Sequence, residues 1–390
     1  MKHNLDNNVL TIYLSDVIDT NTSTQIEEEI FSILSTNTYS KLILDFDEVT
    51  YVSSAGLRVI LKIKKHTNDV KIINVSRDVY DVFEMTGFVE IMSIKKGLRK
   101  LVLEDAEEIG RGANGKVYRY KGDMVVKVYY SKQVTLEEIQ NEINLAKKAF
   151  VMGIPTAIPF DIVKVGEYFG SVFELINAKS LANLINEDPS KLEKYIIEFV
   201  EFLKNIHNIE IFDNSVPSIV PTCHTWANYV KDLLDAPRAA KLIKMVDEIP
   251  ALNTMLHGDY HVKNVMIQNG EMILIDMDTV CKGSVLFELS GMYNAFKAFI
   301  ETELPTDKPF LSLPKEITDK IWDIAYNHYF LDKSEQFKEE TLNKVQLISY
   351  MRLCRIFHRK SDNPDNKRKF DYYLDKLVAA IDKVENLIVE

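Results

Sequence analysis

Cysteine, glycine, proline and tryptophan are scarce in this chain of 390 residues, which has 3, 14, 11 and 2 of them. The cysteines, Cys223, Cys281 and Cys354, are an odd number without metal-site spacing, which excludes a disulfide framework and favours a reducing compartment. No apolar run approaches the ~20 residues that span a bilayer, and the polar residues 1–8 do not resemble a signal peptide. These absences predict a cytoplasmic protein.

Blocks of lysine and arginine are also missing, and the net charge is −11. Nucleic acids and anionic membranes attract proteins through such blocks, so neither is expected as a partner. Residues 1–100 hold 12 basic and 14 acidic side chains, which leaves 35 and 44 for the remainder. Most of the negative excess therefore lies in the second part of the chain.

The first part, residues 1–99, alternates between strand-like and helix-like patterns. Strands are predicted at 9–14, 41–46, 70–75 and 91–94, and helices from Ser23, Ser54 and Arg77. This alternation is typical of an α/β domain in which helices pack on a mixed or parallel sheet. A charged stretch at 95–108 joins it to a different pattern without a flexible linker.

The second part, residues 104–390, changes from strands to helices. Strands are predicted around a glycine loop at 105–130 and at 172–176, with a helix at 136–151 and mainly helices from Leu181, apart from a polar segment at 257–278. This order predicts an α+β bilobal domain, with a β-rich lobe at 104–178 and a helical lobe at 179–390. Four aromatic residues are interpreted as packing of the helical lobe, with the lining of an acceptor pocket as the alternative: Trp226, Tyr229, Tyr293 and Phe296.

Three glycines, Gly110, Gly112 and Gly115, have the spacing of a phosphate-binding loop. Glycine lets backbone N–H groups approach phosphate oxygens closely because it has no Cβ atom. The same spacing occurs in dinucleotide-binding proteins, where the loop opens a helix. An alternating, strand-like run follows here, which favours the hairpin-type loop found in kinases.

Lys127 lies within a run of β-branched residues, where a buried ammonium group needs an acidic partner or a ligand phosphate. The next helix is predicted to begin with a capping box formed by Thr135 and Glu138. Its inward face is predicted to consist of Leu136, Ile139, Ile143, Ala146 and Phe150. Glu142 lies beside this face and is predicted to pair with Lys127; the alternative is that both are solvated surface residues.

The most informative segment is HGDYHVKNVMI at 257–267, followed by ILIDMD at 273–278. It holds Asp259, Asn264 and Asp276 in a strand-turn-strand pattern. Phosphoryl transfer needs a carboxylate that orients or deprotonates the attacking hydroxyl, and oxygen ligands that hold Mg²⁺ on the phosphates. The structural alternative is a polar hairpin with capping side chains, but the preceding glycine loop and strand lysine argue against it.

Through GRGANGKV, VVKVY, HGDYHVKN and IDMD, residues 104–390 resemble the aminoglycoside phosphotransferase and choline kinase group of the protein-kinase-like fold. The resemblance implies the use of ATP and Mg²⁺, with Asp259 as the catalytic base. Asn264 and Asp276 are then the Mg²⁺ ligands. Lys127 is the phosphate-binding lysine and is held by Glu142.

The resemblance also assigns VFELI at 172–176 as the hinge, where backbone groups of Glu174 to Ile176 bind adenine. Glu288 stands where this group usually carries an aspartate that supports the catalytic loop. Three features argue against an ordinary protein kinase. Gly258 replaces the arginine of the H-R-D motif, and only twelve residues separate the IDMD motif's first aspartate from Glu288. In addition, no A-P-E-like sequence follows. The favoured acceptor is therefore a small-molecule hydroxyl, as in an aminoglycoside or an amino alcohol.

Residues 3–97 resemble a STAS domain, the fold of bacterial anti-sigma-factor antagonists, through KLILDFDEVTYVSSAGLRVIL at 41–61. In regulatory members a serine at the helix start accepts a phosphate, which controls the binding of a protein partner. Ser54 takes the acceptor position here, and Ser53 takes the preceding place, often an Asp in this group. Because a serine at a helix start also caps free N–H groups, Ser53 is interpreted as a cap and Ser54 as the candidate phosphoacceptor.

Three functions follow from these motifs. The favoured one is an ATP- and Mg²⁺-dependent phosphotransferase that acts on a small-molecule hydroxyl and is regulated or localised by its STAS domain. The second is a signalling protein whose kinase-like domain phosphorylates Ser54 or a partner of the STAS domain. The third is a nucleotide-binding module with little turnover.

Overall fold

The computed structural model describes residues 1–67, 69–111, 115–131, 134–303 and 309–389. The chain divides into two compact units. The first unit comprises residues 1–106, 128–130 and 162–170, and the second comprises 107–127, 131–161 and 171–390. Within the described ranges, no helix combines the length and the apolar character needed to cross a membrane.

The first unit is built on a five-stranded sheet in the order β1-β2-β3-β4-β5. The strands are β1 His3–Asp6, β2 Val9–Ile18, β3 Lys41–Val52, β4 Val70–Val75 and β5 Ser93–Lys96. The first two strands are antiparallel, and each later pair of neighbours is parallel. The helices are α1 Ser23–Thr36, α2 Ser54–His66, α3 Arg77–Met85 and α4 Phe88–Ile91.

Two predicted boundaries of the first unit are wrong, and β1 is not predicted at all. The strand predicted at 41–46 continues to Val52, because Val49 and Val52 are each 2% exposed and β2 pairs with this stretch to its end. The last strand begins at Ser93 instead of residue 91, because Gly87 has a left-handed backbone with φ of 75° and the helical turn α4 follows it.

The core of the first unit lies on the inward-facing positions of the central strands. These include the fully buried residues Leu10, Ile12, Leu42, Leu44 and Ile72. Gly56 allows α2 to approach the end of β2, since a Cβ atom there would lie 2.5 Å from Ile18 O. The same carbonyl accepts a hydrogen bond of 2.9 Å from Ser53 N–H, which holds the serine turn at the end of the sheet.

A β-rich region follows, as the sequence predicts. Its strands are β6 Arg99–Leu101, β7 Glu108–Arg111, β8 Lys116–Tyr120, β9 Met124–Tyr129, β10 Pro159–Val165 and β11 Tyr168–Glu174, with helix α5 at Leu136–Val151. β6 pairs in parallel with β10. β11, β9, β8 and β7 are hydrogen-bonded side by side in that order.

The buried face of α5 differs in part from the predicted one. Three predicted positions are each 1% exposed, namely Ile139, Ile143 and Ala146. Leu136 and Phe150 are 41% and 46% exposed, which contradicts the prediction. Glu142 and Ala149 complete the face instead. The spacing of apolar residues did not predict Glu142 as part of this buried face, because a carboxylate can be buried where the fold supplies a cationic partner.

The remainder of the chain is mainly helical. Its helices are α6 Leu181–Glu187, α7 Leu192–His207, α8 Val220–Val230, α9 Ala236–Asp247, α10 Val285–Tyr293, α11 Phe299–Glu301, α12 Lys315–Tyr329, α13 Glu335–His358 and α14 Pro364–Lys383, with a π-helical turn at Asn294–Ala298. As predicted, three aromatic side chains are buried in the helical core, namely Trp226, Tyr293 and Phe296. Tyr229 is half-buried, and its hydroxyl lies 2.8 Å from His358 Nδ1.

Short strands interrupt these helices and frame the polar segment. They are β12 Lys179–Ser180, β13 Met255–Leu256, β14 Val265–Gln268, β15 Glu271–Leu274 and β16 Cys281–Lys282. β14 and β15 form an antiparallel hairpin, while β12 pairs with β14 and β13 pairs with β16. The predicted strand-turn-strand around the aspartates is therefore present, and its backbone is fixed by strands on both sides.

Candidate active site

Lys127 joins two carboxylates in the second unit. It lies on β9 between Val126 and Val128, which are fully buried, so its own side chain points to the opposite face of the sheet. Its Nζ atom lies 2.8 Å from Glu142 Oε1 and 3.1 Å from Asp276 Oδ1. The Glu142 side chain is 8% exposed, so this pair is largely shielded from water. The predicted pairing of Lys127 with Glu142 is present.

The start of α5 determines where Glu142 projects. Thr135 Oγ1 accepts a hydrogen bond of 3.2 Å from Glu138 N–H, and Glu138 Oε2 accepts one of 2.7 Å from Thr135 N–H. This is the predicted capping box, and it satisfies N–H groups that the first turn leaves free. Glu142 follows Glu138 by one helical turn and therefore projects from a fixed position.

Asp259 is held by side chains of its own loop. Asn264 Nδ2 donates hydrogen bonds to Asp259 O at 2.9 Å and to Asp259 Oδ2 at 3.3 Å. His261 is 5% exposed, and its Nε2 atom lies 3.6 Å from Asp259 Oδ2. Burial lowers the pKa of His261 below its ordinary value, although the Asp259 charge opposes this shift. Burial therefore favours the neutral form of the imidazole beside Asp259.

Gly258 closes the loop against the segment that follows Asp276. Its φ of +83° lies in the left-handed region, and a Cβ atom at this position would collide with the carbonyl oxygen of Thr279. Thr279 Oγ1 also donates a hydrogen bond of 2.8 Å to His257 O. The close contact excludes any side chain at residue 258, so the arginine of the H-R-D motif has no place here.

Glu288 supports the loop from beneath. Its carboxylate is fully buried and accepts hydrogen bonds from the N–H groups of His257 and Gly258, the latter at 3.0 Å to Oε1. Burial alone would raise the pKa of Glu288, but the imidazoles of His207 and His257 and the Gly258 N–H hold it below its ordinary value. The glutamate therefore makes backbone contacts of the kind that the resemblance assigns to an aspartate.

Asp276 follows β15 and has a left-handed backbone, with φ of 65° and ψ of 65°. This conformation is uncommon outside glycine and is typical of functional sites. Asp278, two residues on, lines the same cleft. Desolvation by the surrounding protein raises its pKa to about 7, and the charge of Asp276 contributes. Sequence reasoning overlooked Asp278, although the second acidic residue of IDMD was the available signal.

The glycine loop connects two antiparallel strands, as predicted. Gly110 lies opposite Val117, and Arg111 lies opposite Lys116. Gly115 lines the cleft. Gly112 lies outside the described residues.

Two backbone N–H groups of the hinge after β11 form hydrogen bonds with other segments of the protein. Glu174 N–H donates a hydrogen bond of 2.9 Å to Ile158 O, and Leu175 N–H donates one of 2.8 Å to Asp123 O. Ile176 N–H donates no hydrogen bond to any residue that the structure describes. Of the N–H groups predicted to meet adenine, Ile176 N–H is therefore the one that remains available.

A cavity of about 440 Å³ collects most of these groups. Its lining includes the predicted residues Gly115, Lys127, Glu142, Asp259 and Asp276, together with Asp278. Gly110, Asn264, Glu174 and Ile176 are not part of this lining. Apolar side chains such as Val117, Ala157 and Phe173 form another part of its wall. A cavity with an apolar wall and a cluster of charges suits a ligand that has a flat ring and phosphates.

The oxygen donors of this site fit a magnesium ion. Asn264 and Asp276 offer a carboxamide and a carboxylate oxygen, which are hard ligands. Because Asn264 directs its Nδ2 group at Asp259, its Oδ1 atom is the one left to accept, and no described residue donates to it. Over the described part of the chain, no cluster of three or more His, Cys, Asp or Glu side chains is arranged for a metal. A cation held by few protein ligands and by phosphate oxygens has this pattern.

The two serines of the first unit occupy different positions. Ser53 is the N-cap of α2, and its Oγ atom accepts a hydrogen bond of 3.2 Å from Ala55 N–H. Ser54 is the first helical residue and is exposed. The predicted cap is therefore Ser53, and the Ser54 hydroxyl faces solvent.

Comparison with protein families gives two matches. Residues 3–101 match the model of the STAS domain, and residues 105–306 match that of a phosphotransferase enzyme family. These matches confirm the predicted order of a STAS domain followed by a kinase-like domain. A comparison with curated proteins found no match.

Comparison with solved structures gives matches to both parts. A ternary complex of streptomycin, ATP and APH(2″)-IIa is 12% identical, covers 79% of this chain and 99% of its own, and has a TM-score of 0.48. The aminoglycoside phosphotransferase APH(3″)-Id from Streptomyces rimosus is 12% identical, with 60% and 89% covered and a TM-score of 0.40. The unphosphorylated anti-sigma factor antagonist SpoIIAA is 18% identical, with 24% and 85% covered and a TM-score of 0.22.

Proposed function

The chain belongs to the phosphotransferase enzyme family, and on this premise we propose that it transfers the γ-phosphate of ATP, with Mg²⁺, to a hydroxyl of a small molecule. The observation that carries the proposal is that Lys127, Asp259 and Asp276 line one cavity. Aminoglycoside-like and choline-like alcohols are the acceptor class that the resemblance implies. The STAS domain is the regulatory part, and we propose domain limits at 1–99, 104–178 and 179–390.

Lys127 binds the phosphates of ATP in this proposal. Its ammonium group neutralises their negative charge, and Glu142, 2.8 Å away, holds the lysine in place. Lys127 also contacts Asp276 at 3.1 Å. ATP binding divides the contacts of the lysine between phosphate oxygens and Glu142, which leaves Asp276 free for the metal.

Asp259 is the base that receives the acceptor's proton. The hydroxyl oxygen forms a bond to the γ-phosphorus, the bond from that phosphorus to the ADP oxygen breaks, and the hydroxyl proton moves to Asp259. Asn264 holds the carboxylate in place through the hydrogen bonds of 2.9 and 3.3 Å. Burial lowers the pKa of the neighbouring His261, which disfavours a positively charged imidazolium beside Asp259.

Asn264 Oδ1 and the Asp276 carboxylate are the groups that would hold Mg²⁺. The ion supplies positive charge to the phosphates as they accumulate charge in the transition state. The glycine loop contributes backbone N–H groups near the phosphates, at Gly110, Gly112 and Gly115. The hinge from Glu174 to Ile176 binds adenine, with Ile176 N–H as the donor.

The test is phosphate transfer from ATP labelled on its γ-phosphate to a panel of alcohols that includes aminoglycosides and amino alcohols. Asp259→Ala should lower transfer by about 100- to 10,000-fold, the range for removal of a general base. Asp362→Ala, at an exposed aspartate after α13, is the matched control and should retain full activity. If no alcohol is phosphorylated in an Asp259-dependent manner, the proposed function is wrong.

The exposure of Ser54 favours one alternative, in which the kinase-like domain phosphorylates the STAS domain. Mapping of phosphosites in the same reactions distinguishes the two. Label on Ser54 that is lost in Asp259→Ala supports the signalling role, whereas label on a soluble alcohol supports the first proposal. Nucleotide binding without transfer in either assay identifies a nucleotide-binding module.

A further inference from the structure

Arg352 lies next to the catalytic loop without touching any of the residues assigned above. It projects from α13, which packs against α8 and α10. Its guanidinium group is half-buried and lies over the ring of Trp226, 5.6 Å from the ring centroid. Stacking on an aromatic ring restricts the orientation of an arginine while leaving its N–H donors available at the edge.

Gly291 brings this arginine close to the loop. A Cβ atom at Gly291 would lie 3.9 Å from Arg352 Nη1 and 3.8 Å from Gly258 O. Gly258 immediately precedes Asp259, so the guanidinium group and the segment that carries Asp259 both border the space beside Gly291.

Arg352 has no partner of its own in the described part of the chain: it donates no hydrogen bond there and forms no ion pair. Other arginines of the second unit do pair with carboxylates, namely Arg111, Arg119, Arg238 and Arg368. Burial lowers the pKa of Arg352, while the charges of Asp259 and Glu288 act in the opposite direction. A half-buried cation without a direct partner is costly, and an anionic ligand would remove that cost.

Arg355 adds a second positive charge three residues further along α13, on the same helix face. It is half-buried and likewise forms no ion pair with the described residues. The positive charge of Arg355 contributes to lowering the pKa of Arg352. Two neighbouring guanidinium groups repel each other unless an anion lies between or beside them, and their planar donors match carboxylate and phosphate oxygens.

We propose that Arg352 and Arg355 form an anion-binding subsite of the acceptor site, so that the acceptor alcohol carries a carboxylate or phosphate group near the hydroxyl that Asp259 activates. This inference rests on the proposed transfer to a small-molecule hydroxyl, and it replaces the cationic acceptors that the resemblance implies with anionic ones. It favours hydroxy acids and phosphorylated alcohols over polycationic aminoglycosides and choline, because the guanidinium groups attract the former and repel the latter.

The first test compares alcohols of similar size and different charge: glycerol, glycerate, glycerol 3-phosphate and choline. The anionic compounds should have the highest kcat/KM. Arg352→Met keeps the side-chain volume and should lower kcat/KM for the anionic compounds by roughly 10- to 100-fold, through loss of charge-assisted hydrogen bonds, with little change for glycerol. Arg352→Lys, which keeps the charge, should restore part of the loss. Arg359→Met, at an exposed arginine at the end of α13, is the matched control.

The second test does not need turnover. Tryptophan occurs at residues 226 and 322 only, so Trp322→Phe leaves Trp226 as the reporter beneath Arg352. Inorganic phosphate, titrated against chloride at equal ionic strength, should change its fluorescence in a saturable manner. Arg352→Met should abolish the response, and Lys127→Met should retain it, which separates this subsite from the nucleotide phosphates.

The outcomes separate the two proposals. Asp259-dependent transfer to glycerate or glycerol 3-phosphate that is equal in wild type and Arg352→Met overturns the anion subsite and leaves the proposed function standing. An Arg352-dependent phosphate response without transfer to any alcohol supports the subsite and contradicts the proposed function. A uniform loss with every acceptor in Arg352→Met assigns the arginine a structural role and overturns the subsite.

Discussion

Glu288→Gln is expected to destabilise the second unit by roughly 2–4 kcal/mol. The buried carboxylate accepts hydrogen bonds from His257 N–H and Gly258 N–H. Glutamine has the same shape but a single acceptor oxygen, so its NH₂ group faces one of these N–H donors. The change removes one charge-assisted hydrogen bond, which contributes about 1.5–3 kcal/mol, and leaves a buried N–H unsatisfied at a cost of about 1–3 kcal/mol. The two effects overlap, which sets the expected range.

Urea unfolding followed by tryptophan fluorescence measures this effect, because both tryptophans belong to the second unit. Glu339→Gln, at an exposed glutamate of α13, controls for the loss of one negative charge and should unfold like the wild type. Phosphate transfer by Glu288→Gln should also fall, because Glu288 holds the backbone directly before Asp259. An unchanged unfolding midpoint and full activity would refute the role of Glu288 as the support of the loop.

The pH dependence of the unfolding free energy is a second test of the role of Glu288. The pKa of Glu288 in the folded protein is below its ordinary value of 4.5. Its contribution to stability is therefore complete above the unfolded pKa and is lost as the pH falls through the folded pKa. The difference in unfolding free energy between wild type and Glu288→Gln should be constant near neutral pH and should narrow below about pH 4. A difference that grows on acidification contradicts a carboxylate that is ionised in the fold.

Two further predictions concern the ion pair and the helix cap. Lys127→Met and Glu142→Gln should each lower kcat/KM for ATP. The double variant should have the same kcat/KM as Lys127→Met, because the glutamate acts through the lysine. Additive losses of kcat/KM would show that the two residues have independent roles. Ser53→Ala should destabilise the first turn of α2 by about 1 kcal/mol, seen as faster hydrogen exchange there, whereas Ser54→Ala should have little effect. Equal exchange rates in the two serine variants would contradict the observed cap.

Local patterns in the sequence were sufficient for the parts of the site that lie on single elements. The capping box at Thr135 and Glu138 depends on residues three apart, and the helix between 136 and 151 has the predicted bounds. Lys127 lies in a strand of β-branched residues, where its ammonium group would lose contact with water. The sequence alone therefore predicts an acidic partner for it. The aspartates at 259 and 276 are recognisable because they belong to the HGDYHVKN and IDMD motifs, through which the chain resembles the aminoglycoside phosphotransferase group. Each of these features depends on neighbours within about one helical turn or one hairpin.

Contacts between distant segments decided the rest. The prediction that Leu136 and Phe150 face inward was wrong, because the packed side of a helix depends on what lies opposite it. The sequence could not show that Arg352 forms no ion pair with the residues that the structure describes, since ion pairs form between residues that only the fold brings together.

The sequence by itself therefore determined the two-domain order, most of the elements and the candidate residues of the site, because propensity, capping and residue type act over short distances along the chain. The tertiary structure alone decided that Glu288 holds the loop before Asp259, that Gly258 admits no side chain beside Thr279, and that Arg352, which forms no ion pair with the described residues, lies next to Gly291. These are properties of packing and electrostatics in three dimensions, and they depend on segments that are far apart in the chain.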